Sequence, residues 1–191
     1  MPVGILLAAG SGRRFGSDKR RALLADGTPM VVAAARALRS ALPHVLAVVR
    51  EADDVAERLA AEDLDIAICP AAARGMGHSI ACGLTATGDA DGWLIALGDM
   101  PWIRPETITA VAAALERGAA IARPVYAGFP GHPVGFGAAF GAALSRLEGD
   151  QGARHLLCSA SITEVPCADP GVLRDIDRPA DLHRSSALSR P

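Results

Sequence analysis

Short, continuous apolar runs alternate along this chain with longer stretches in which apolar residues recur at helical spacing. VGILLAA (3–9), VLAVVR (45–50), LDIAIC (64–69), GWLIALGD (92–99) and AAIARPVY (119–126) read as buried strands. Between them, MVVAAARALRSAL (30–42), ADDVAERLAAE (52–62), GHSIACGLTAT (77–87) and RPETITAVAAALERG (104–118) read as helices. The last of these has a Pro–Glu start and a glycine stop, both good helix boundaries. Buried strands separated by crossover helices predict an α/β fold, a parallel sheet covered by helices on both faces.

The final third is less regular. AGFPGHPVGF (127–136) reads as a glycine-rich hairpin or insert, and two short helices flank EGDQGAR (148–154). A short strand, SITEVP (161–166), precedes DPGVLRDIDRPADLHR, and the tail SSALSRP reads as frayed. No internal repeat or long linker divides the chain. A single domain is therefore expected over 1–191, with a first part to about 105 and a second over about 106–184.

Composition narrows the class without naming a function. Half of the 191 residues are hydrophobic and 21% are charged, as in an ordinary globular chain. The net charge of −2 gives no global field toward nucleic acid or an anionic membrane, so anion binding must be local. Cys69, Cys82, Cys158 and Cys167 lack CxxC spacing and read as free thiols of a reducing compartment. No apolar run reaches the roughly 18–20 residues of a membrane span, and MPVGILLAAG lacks the basic start of a signal peptide. A cytoplasmic location is expected.

The stretch LAAGSGRRFGSDK (7–19) is where local anion binding is expected, because ligands of open α/β sheets sit at the carboxyl ends of strands. Gly10, Gly12 and Gly16 give G-x-G-x-x-x-G, one residue too long for a dinucleotide fingerprint. Lys19 does not follow a glycine, so a Walker A loop fails as well. A longer loop around a nucleoside triphosphate fits better, with backbone N–H groups, Arg14 and Lys19 facing the phosphates. A solvated basic loop is the bland alternative.

Five further stretches carry candidate residues. LGDMP (97–101) ends an apolar strand with Asp99, which either caps a helix or holds a hard cation. Asp177 in DIDRPADL (175–182) either starts a helix with Pro179 and Asp181 or supplies a second carboxylate. In RGMGHSIACGL (74–84), Gly75 and its small neighbours allow close approach of a base or ribose, Ser79 can hydrogen-bond there, and His78 reads as a surface residue. Read alone, His132–Pro133 is a turn and Arg154 a solvated helix residue.

LAAGSGRRFGSDK resembles the signature loop of the MobA-like nucleotidyltransferases, L-A-[AG]-G-x-x-x-R-[MF]-G-x-x-K, through Leu7, Ala8, Ala9, Gly10, Arg14, Phe15, Gly16 and Lys19. The D-x-P of LGDMP, the G-M-x-x-S of 75–79, GFPGHPVGF, GDQGAR and the closing DIDRPADL resemble further elements of that family in order, from residue 4 to about 183. Arg178 departs from the threonine commoner in the closing element. The resemblance implies a three-layer α/β/α, Rossmann-like, mostly parallel sheet of the nucleotide-diphospho-sugar transferase type. It implies that Leu7, Ala8, Ala9, Gly10, Arg14, Lys19, Gly75, Ser79 and Asp99 bind an NTP, with Arg14, Lys19 and Asp99 catalytic. Asp99 and Asp177 would hold Mg²⁺, and Gly131, His132 and Arg154 would bind a phosphorylated acceptor. Ala9, where guanylyltransferases usually carry glycine, implies CTP as donor and a molybdopterin-type acceptor, with a molybdoenzyme receiving the product. The same chemistry with another NTP or another phosphorylated acceptor, and a non-catalytic carrier of molybdenum cofactor, are the rival readings.

Overall fold

The computed structural model describes residues 1–10, 15, 18–150, 152–158 and 160–186, with side chains to residue 182. In chain order its elements are β1 (Val3–Leu7), α1 (Met30–Ala41), β2 (Val45–Val49), α2 (Asp54–Ala61), β3 (Asp65–Ile68), α3 (Met76–Thr87), β4 (Gly92–Leu97), α4 (Pro105–Glu116), β5 (Ile121–Tyr126), β6 (Phe129–Pro130), β7 (Val134–Gly137), α5 (Gly141–Leu144) and β8 (Ile162–Pro166). Single turns of 3₁₀ helix link several of them. None of the helices described is long and apolar enough to cross a membrane.

All eight strands join one sheet in the order β3-β2-β1-β4-β7-β5-β6, with β8 also paired to β5. Pairings among β1, β2, β3 and β4 are parallel, as is β5 with β8. The hairpin expected at 127–136 makes the sheet mixed. It returns the chain as β7, which lies antiparallel between β4 and β5.

Period-two alternation distributes each strand between two cores. Leu6, Ala47, Val49, Leu94 and Ala96 face one side, where they meet Val31, Ala35 and Leu38 of α1, Val55 and Leu59 of α2, and Ile108, Val111 and Leu115 of α4. Ile5, Leu46, Val48, Trp93, Ile95 and Phe136 face the other, against Ile80 and Leu84 of α3 and Leu144 of α5. Both faces are thus covered, which is why the strand sequences read as continuous apolar runs. On α3, a Cβ at Gly83 would lie 2.9 Å from Ile5 Cγ2 and 3.0 Å from Val48 Cγ2, so the missing side chain sets how closely α3 meets the sheet.

The strand order reverses between β1 and β4. The connections from β1 run outward through β2 to β3, and β4 then pairs on the opposite side of β1. This is the topological switch point, where the chain segments leaving two adjacent strands diverge and open a crevice at their carboxyl ends. The ladder continues one residue beyond each strand, through Ala8 N–H to Val48 O at 2.9 Å and Gly98 N–H to Leu7 O at 3.0 Å. Gly10 and Asp99 are therefore delivered to the crevice by backbone pairing.

A second tie holds the carboxyl-terminal region to α4. Asp169, only 2% exposed, accepts from Arg104 N at 2.8 Å, from Thr107 Oγ1 at 2.9 Å and from Gly171 N at 2.9 Å. Its carboxylate thus caps α4 from a distant part of the chain and fixes the turn that leads to residues 174–177. Asp169→Ala leaves two buried donors and one part-buried donor without their acceptor and is expected to cost about 3 kcal/mol, read as a lower urea midpoint at unchanged m-value. Asp169→Asn, which keeps part of the pattern, should lose less.

Candidate active site

Two clefts open along the carboxyl ends of the sheet. The first, of about 580 Å³, is lined by Leu7, Ala9, Gly10, Lys19, Gly75, Ser79, Asp99 and Asp177, together with Arg50, Ala72, Ala73 and Asp150. The second, of about 820 Å³, is lined by Gly131, His132 and Arg154, with Arg123, His155 and Cys158 and a largely apolar wall. Met76, Leu97 and Asp150 line both, so the two spaces meet over the end of β4. The fold thus gathers most of the candidates chosen from the sequence, though they come from six separate stretches. Ala8 lies just outside the first cleft, against a small adjoining hollow. Arg14, with Gly12 and Gly16, lies outside the described residues.

At the centre of the first cleft, Lys19 Nζ lies 2.6 Å from Asp99 Oδ2 and 3.5 Å from Asp177 Oδ1, and donates to Ile176 O at 3.3 Å. The ammonium thus bridges two carboxylates from distant segments. Ile176 N–H donates to Asp99 O at 2.9 Å, which ties the 174–177 segment to the end of β4. The two readings of DIDRPADL prove compatible. Asp181 accepts from Asp177 N at 3.1 Å and from Arg178 N at 2.8 Å, so it does the capping while the Asp177 carboxylate faces Lys19.

Asp99 Oδ1 is buried and has no hydrogen-bond partner among the described residues. A buried carboxylate oxygen without a donor is costly, and a hard cation satisfies it directly. Mg²⁺ takes one or two carboxylates and completes its shell with phosphate and water, which is the donor set that Asp99 and Asp177 offer. Among the described residues no cluster of three or more His, Cys, Asp or Glu forms an all-protein cage.

Lys19 is positioned by a network that the sequence reading missed. It begins a single 3₁₀ turn, Lys19–Arg21, capped by Asp18, whose carboxylate accepts from Arg20 N at 3.2 Å. Arg20, only 3% exposed, extends its guanidinium to Asp18 at 2.6 Å and to Asp53 at 2.7 Å. Asp53 is in turn the N-cap of α2, accepting from Ala56 N at 3.2 Å. Arg21 pairs with Asp54, and Arg50 reaches Asp18 at 3.0 Å. The two arginines that directly follow the motif, Arg20 and Arg21, therefore bind carboxylates. The signal was present in the adjacent acids of EADD (51–54), which lie far from the loop in sequence. Burial by itself would raise the Asp18 pKa, but the Arg20 guanidinium outweighs it and holds the carboxyl below its ordinary value.

A strap closes the side shared by the two clefts. Gly77 N–H donates to Gly149 O at 2.8 Å, and Gly149 N–H donates to His78 Nδ1 at 3.1 Å. His78 is therefore a latch to the 148–150 loop rather than a free surface residue. Gly75 has φ +132°, and a Cβ there would lie 2.2 Å from the Gly149 carbonyl carbon. Only glycine allows this approach, which brings Asp150 over the cleft. Ser79 is buried at the cleft wall, 5% exposed.

In the second cleft, Gly131 N–H donates to Pro124 O at 2.9 Å and His132 N–H to Val172 O at 3.0 Å. The first bond closes the hairpin and the second ties it to the 170–173 turn, so the Gly131 N–H is already used and cannot bind the acceptor's phosphate. Its missing Cβ serves packing, since one would lie 2.4 Å from Val172 O. Burial lowers the His132 pKa against the opposing charge of Asp99, so the imidazole is neutral near pH 7.

The Asp18–Arg20 pair makes a signed prediction. A carboxyl held below its unfolded value contributes stability above about pH 4, and that contribution is lost as pH falls through its lower folded pKa. Asp18→Asn should cost about 3 kcal/mol at pH 7, because it leaves the buried Arg20 with one partner fewer. The gap between wild type and variant should narrow when urea unfolding is repeated toward pH 3.

The comparisons with known proteins agree with this geometry. Residues 4–164 match the MobA-like NTP transferase domain. The purine catabolism protein PucB of Bacillus subtilis (strain 168) is 30% identical over 192 residues, covering 94% of this chain and 93% of PucB. The crystal structure of a homologue of Mycobacterium tuberculosis Rv0371c from Mycobacterium sp. strain JC1 superposes with a TM-score of 0.77 at 27% identity, over 95% of this chain and 93% of that one. Molybdopterin-guanine dinucleotide biosynthesis protein A from Archaeoglobus fulgidus shares the fold, with a TM-score of 0.68 at 20% identity over 95% of each chain. A family match over most of the chain and a full-length relative lead to one conclusion: this protein belongs to the MobA-like NTP transferase family, whose activity is of the nucleotidyltransferase type.

Proposed function

We propose that this protein is a Mg²⁺-dependent cytidylyltransferase that joins CMP from CTP to the phosphate of a molybdopterin-type acceptor, releasing pyrophosphate. The observation that carries the reading is the meeting of the two clefts over β4, beside Lys19 and the unpartnered Oδ1 of Asp99. The chain's nucleotide part, to about residue 105, would hold the donor, and the part over about 106–184 most of the acceptor. The acceptor assignment follows from the sequence motifs, and the name of the Archaeoglobus molybdopterin-guanine dinucleotide biosynthesis protein is in keeping with it. The product would pass to a molybdoenzyme.

In this reading an oxygen of the acceptor phosphate attacks the α-phosphorus in line. The new P–O bond forms as the bond to the bridging oxygen breaks, and its electron pair leaves with pyrophosphate. No covalent nucleophile is required, and the protein's work is positioning and charge neutralisation. Backbone at Ala9 and Gly10 lines the space for the triphosphate, and Lys19 moves from Asp99 to balance the charge that grows on the leaving group. Arg14, as the signature motif implies, would attend the same phosphates. Gly75 and Ser79 would border base and ribose, while His132 and Arg154 would orient the acceptor. Asp99 and Asp177 would hold Mg²⁺, which when bound polarises phosphate oxygens and offsets their charge.

A single assay tests donor, acceptor and metal together: pyrophosphate release with molybdenum cofactor and CTP, GTP or ATP in parallel, with and without Mg²⁺. CTP should be preferred. Preference for GTP, or for a sugar phosphate over molybdenum cofactor, overturns the corresponding half of the proposal. Asp99→Ala should retain its fold and lose at least about a hundredfold in turnover; a variant that transfers CMP normally refutes the assignment of Asp99. A pure carrier would still deliver cofactor after that change without having shown turnover before it. Ala9→Gly should shift the CTP-to-GTP ratio of kcat/KM by about tenfold toward GTP, since one methyl is worth that much in a tight pocket.

A further inference from the structure

Within the second cleft, two polar atoms are buried and have no hydrogen-bond partner among the described residues: Arg123 Nε and His132 Nδ1. Both residues line the same cavity. The register that sets Ala122 against Gly135, continued by one residue, puts Arg123 beside Val134. His132 lies two positions before Val134, just ahead of β7, and lines the same cavity as Arg123 and Val134. Around them the side chains of Ile95, Leu97, Val134 and Phe136 are apolar, and the one polar contact to the imidazole among these four is the Ile95 backbone, which leaves Nδ1 without a partner among the described residues.

Arg123 is not free to turn away. It stands opposite Glu164 in the parallel pairing of β5 with β8, and Nη2 donates to Glu164 Oε1 at 2.9 Å. That ion pair holds one end of the guanidinium toward Glu164, while Nε stays buried without a partner among the described residues. A donor buried in an apolar wall and left unpaired opposes folding unless a ligand supplies its acceptor. With Arg123 already paired to Glu164 and burial favouring the neutral form of His132, the patch favours hydrogen-bond geometry over net charge. A second phosphate suits it poorly, and a carbonyl-type oxygen suits it well.

We propose that Arg123 is a specificity residue for the acceptor, its Nε donating to a carbonyl-type oxygen at the end remote from the reacting phosphate, with His132 as the second contact. This rests on the second cleft being the acceptor site. It adds a residue and an interaction that none of the sequence motifs marked.

Arg123→Lys keeps a cation for Glu164 and removes the Nε donor. It should raise the KM for molybdenum cofactor by tenfold to a hundredfold, with the KM for CTP and kcat at saturating acceptor within about twofold of wild type. Calorimetric titration of the protein with molybdenum cofactor alone should show the same loss, and a hexose 1-phosphate, which has no carbonyl, should bind wild type and variant equally. Glu164→Gln controls for stability, because it removes the ion pair and leaves Nε in place. An unchanged acceptor KM in Arg123→Lys overturns the proposal. So does an equal loss in both variants that tracks a lowered Tm, since that marks a structural role. Failure of wild type to bind molybdenum cofactor removes the acceptor cleft and this role with it. Binding without CMP transfer would instead refute the cytidylyltransferase reading and leave Arg123 its ligand.

Discussion

Everything chemical in this molecule depends on two parallel strands, β1 and β4, pairing side by side and then sending their chains in opposite directions. The pairing fixes the heights of Leu7 and Leu97 to each other, and the backbone bond from Gly98 to Leu7 carries that register into the crevice. Gly10 and Asp99 therefore meet because of a sheet ladder, with no flexible connection between the ladder and the carboxylate. The Ile176–Asp99 backbone bond extends the same frame to the carboxyl-terminal segment and sets Asp177 across from Asp99. Asp169 supports that segment from below by capping α4. Removing any of these ties would move a carboxylate before it altered a strand.

Much of this was legible in the sequence because it is written in local patterns. The apolar runs 3–9, 45–50, 64–69 and 92–99 became parallel strands, and Pro105–Glu116 became the helix its proline and following glycine marked out. The glycines at 75 and 77 read as places of close approach, but sequence could not say that the approaching backbone is the 148–149 loop. What it could not give were pairings between distant segments. Arg20 and Arg21 directly follow the motif, and nothing local foretold the network they form. Beyond the neighbouring Asp18, their partners Asp53 and Asp54 lie more than thirty positions away, at the start of α2. Gly131 failed as an anion donor for a related reason, since its N–H closes a hairpin whose register is a tertiary fact. Arg123 was hidden inside an apolar strand, and only its unpartnered Nε in a cavity distinguishes it from an ordinary edge arginine.

The division between Arg20 and Lys19 follows from the chemistry of the two side chains. A guanidinium forks to two carboxylates at once and holds its charge when buried, so Arg20 can anchor the turn between Asp18 and Asp53 at almost no exposure. An ammonium is a compact charge on a flexible stem. At position 19 it reaches Asp99 Oδ2, Asp177 Oδ1 and a backbone carbonyl with one nitrogen, a set of contacts it can exchange one at a time. If both positions were arginine, two planar forks would compete for the same carboxylates and the turn would lose its distinction between anchor and mover. In the proposed reaction that distinction has a purpose. The anchor keeps the turn in place while the neighbouring cation leaves one carboxylate for a phosphate oxygen, over a distance set by its own side chain and without backbone rearrangement. The buried network below the turn is thus what lets a single lysine serve two sets of partners.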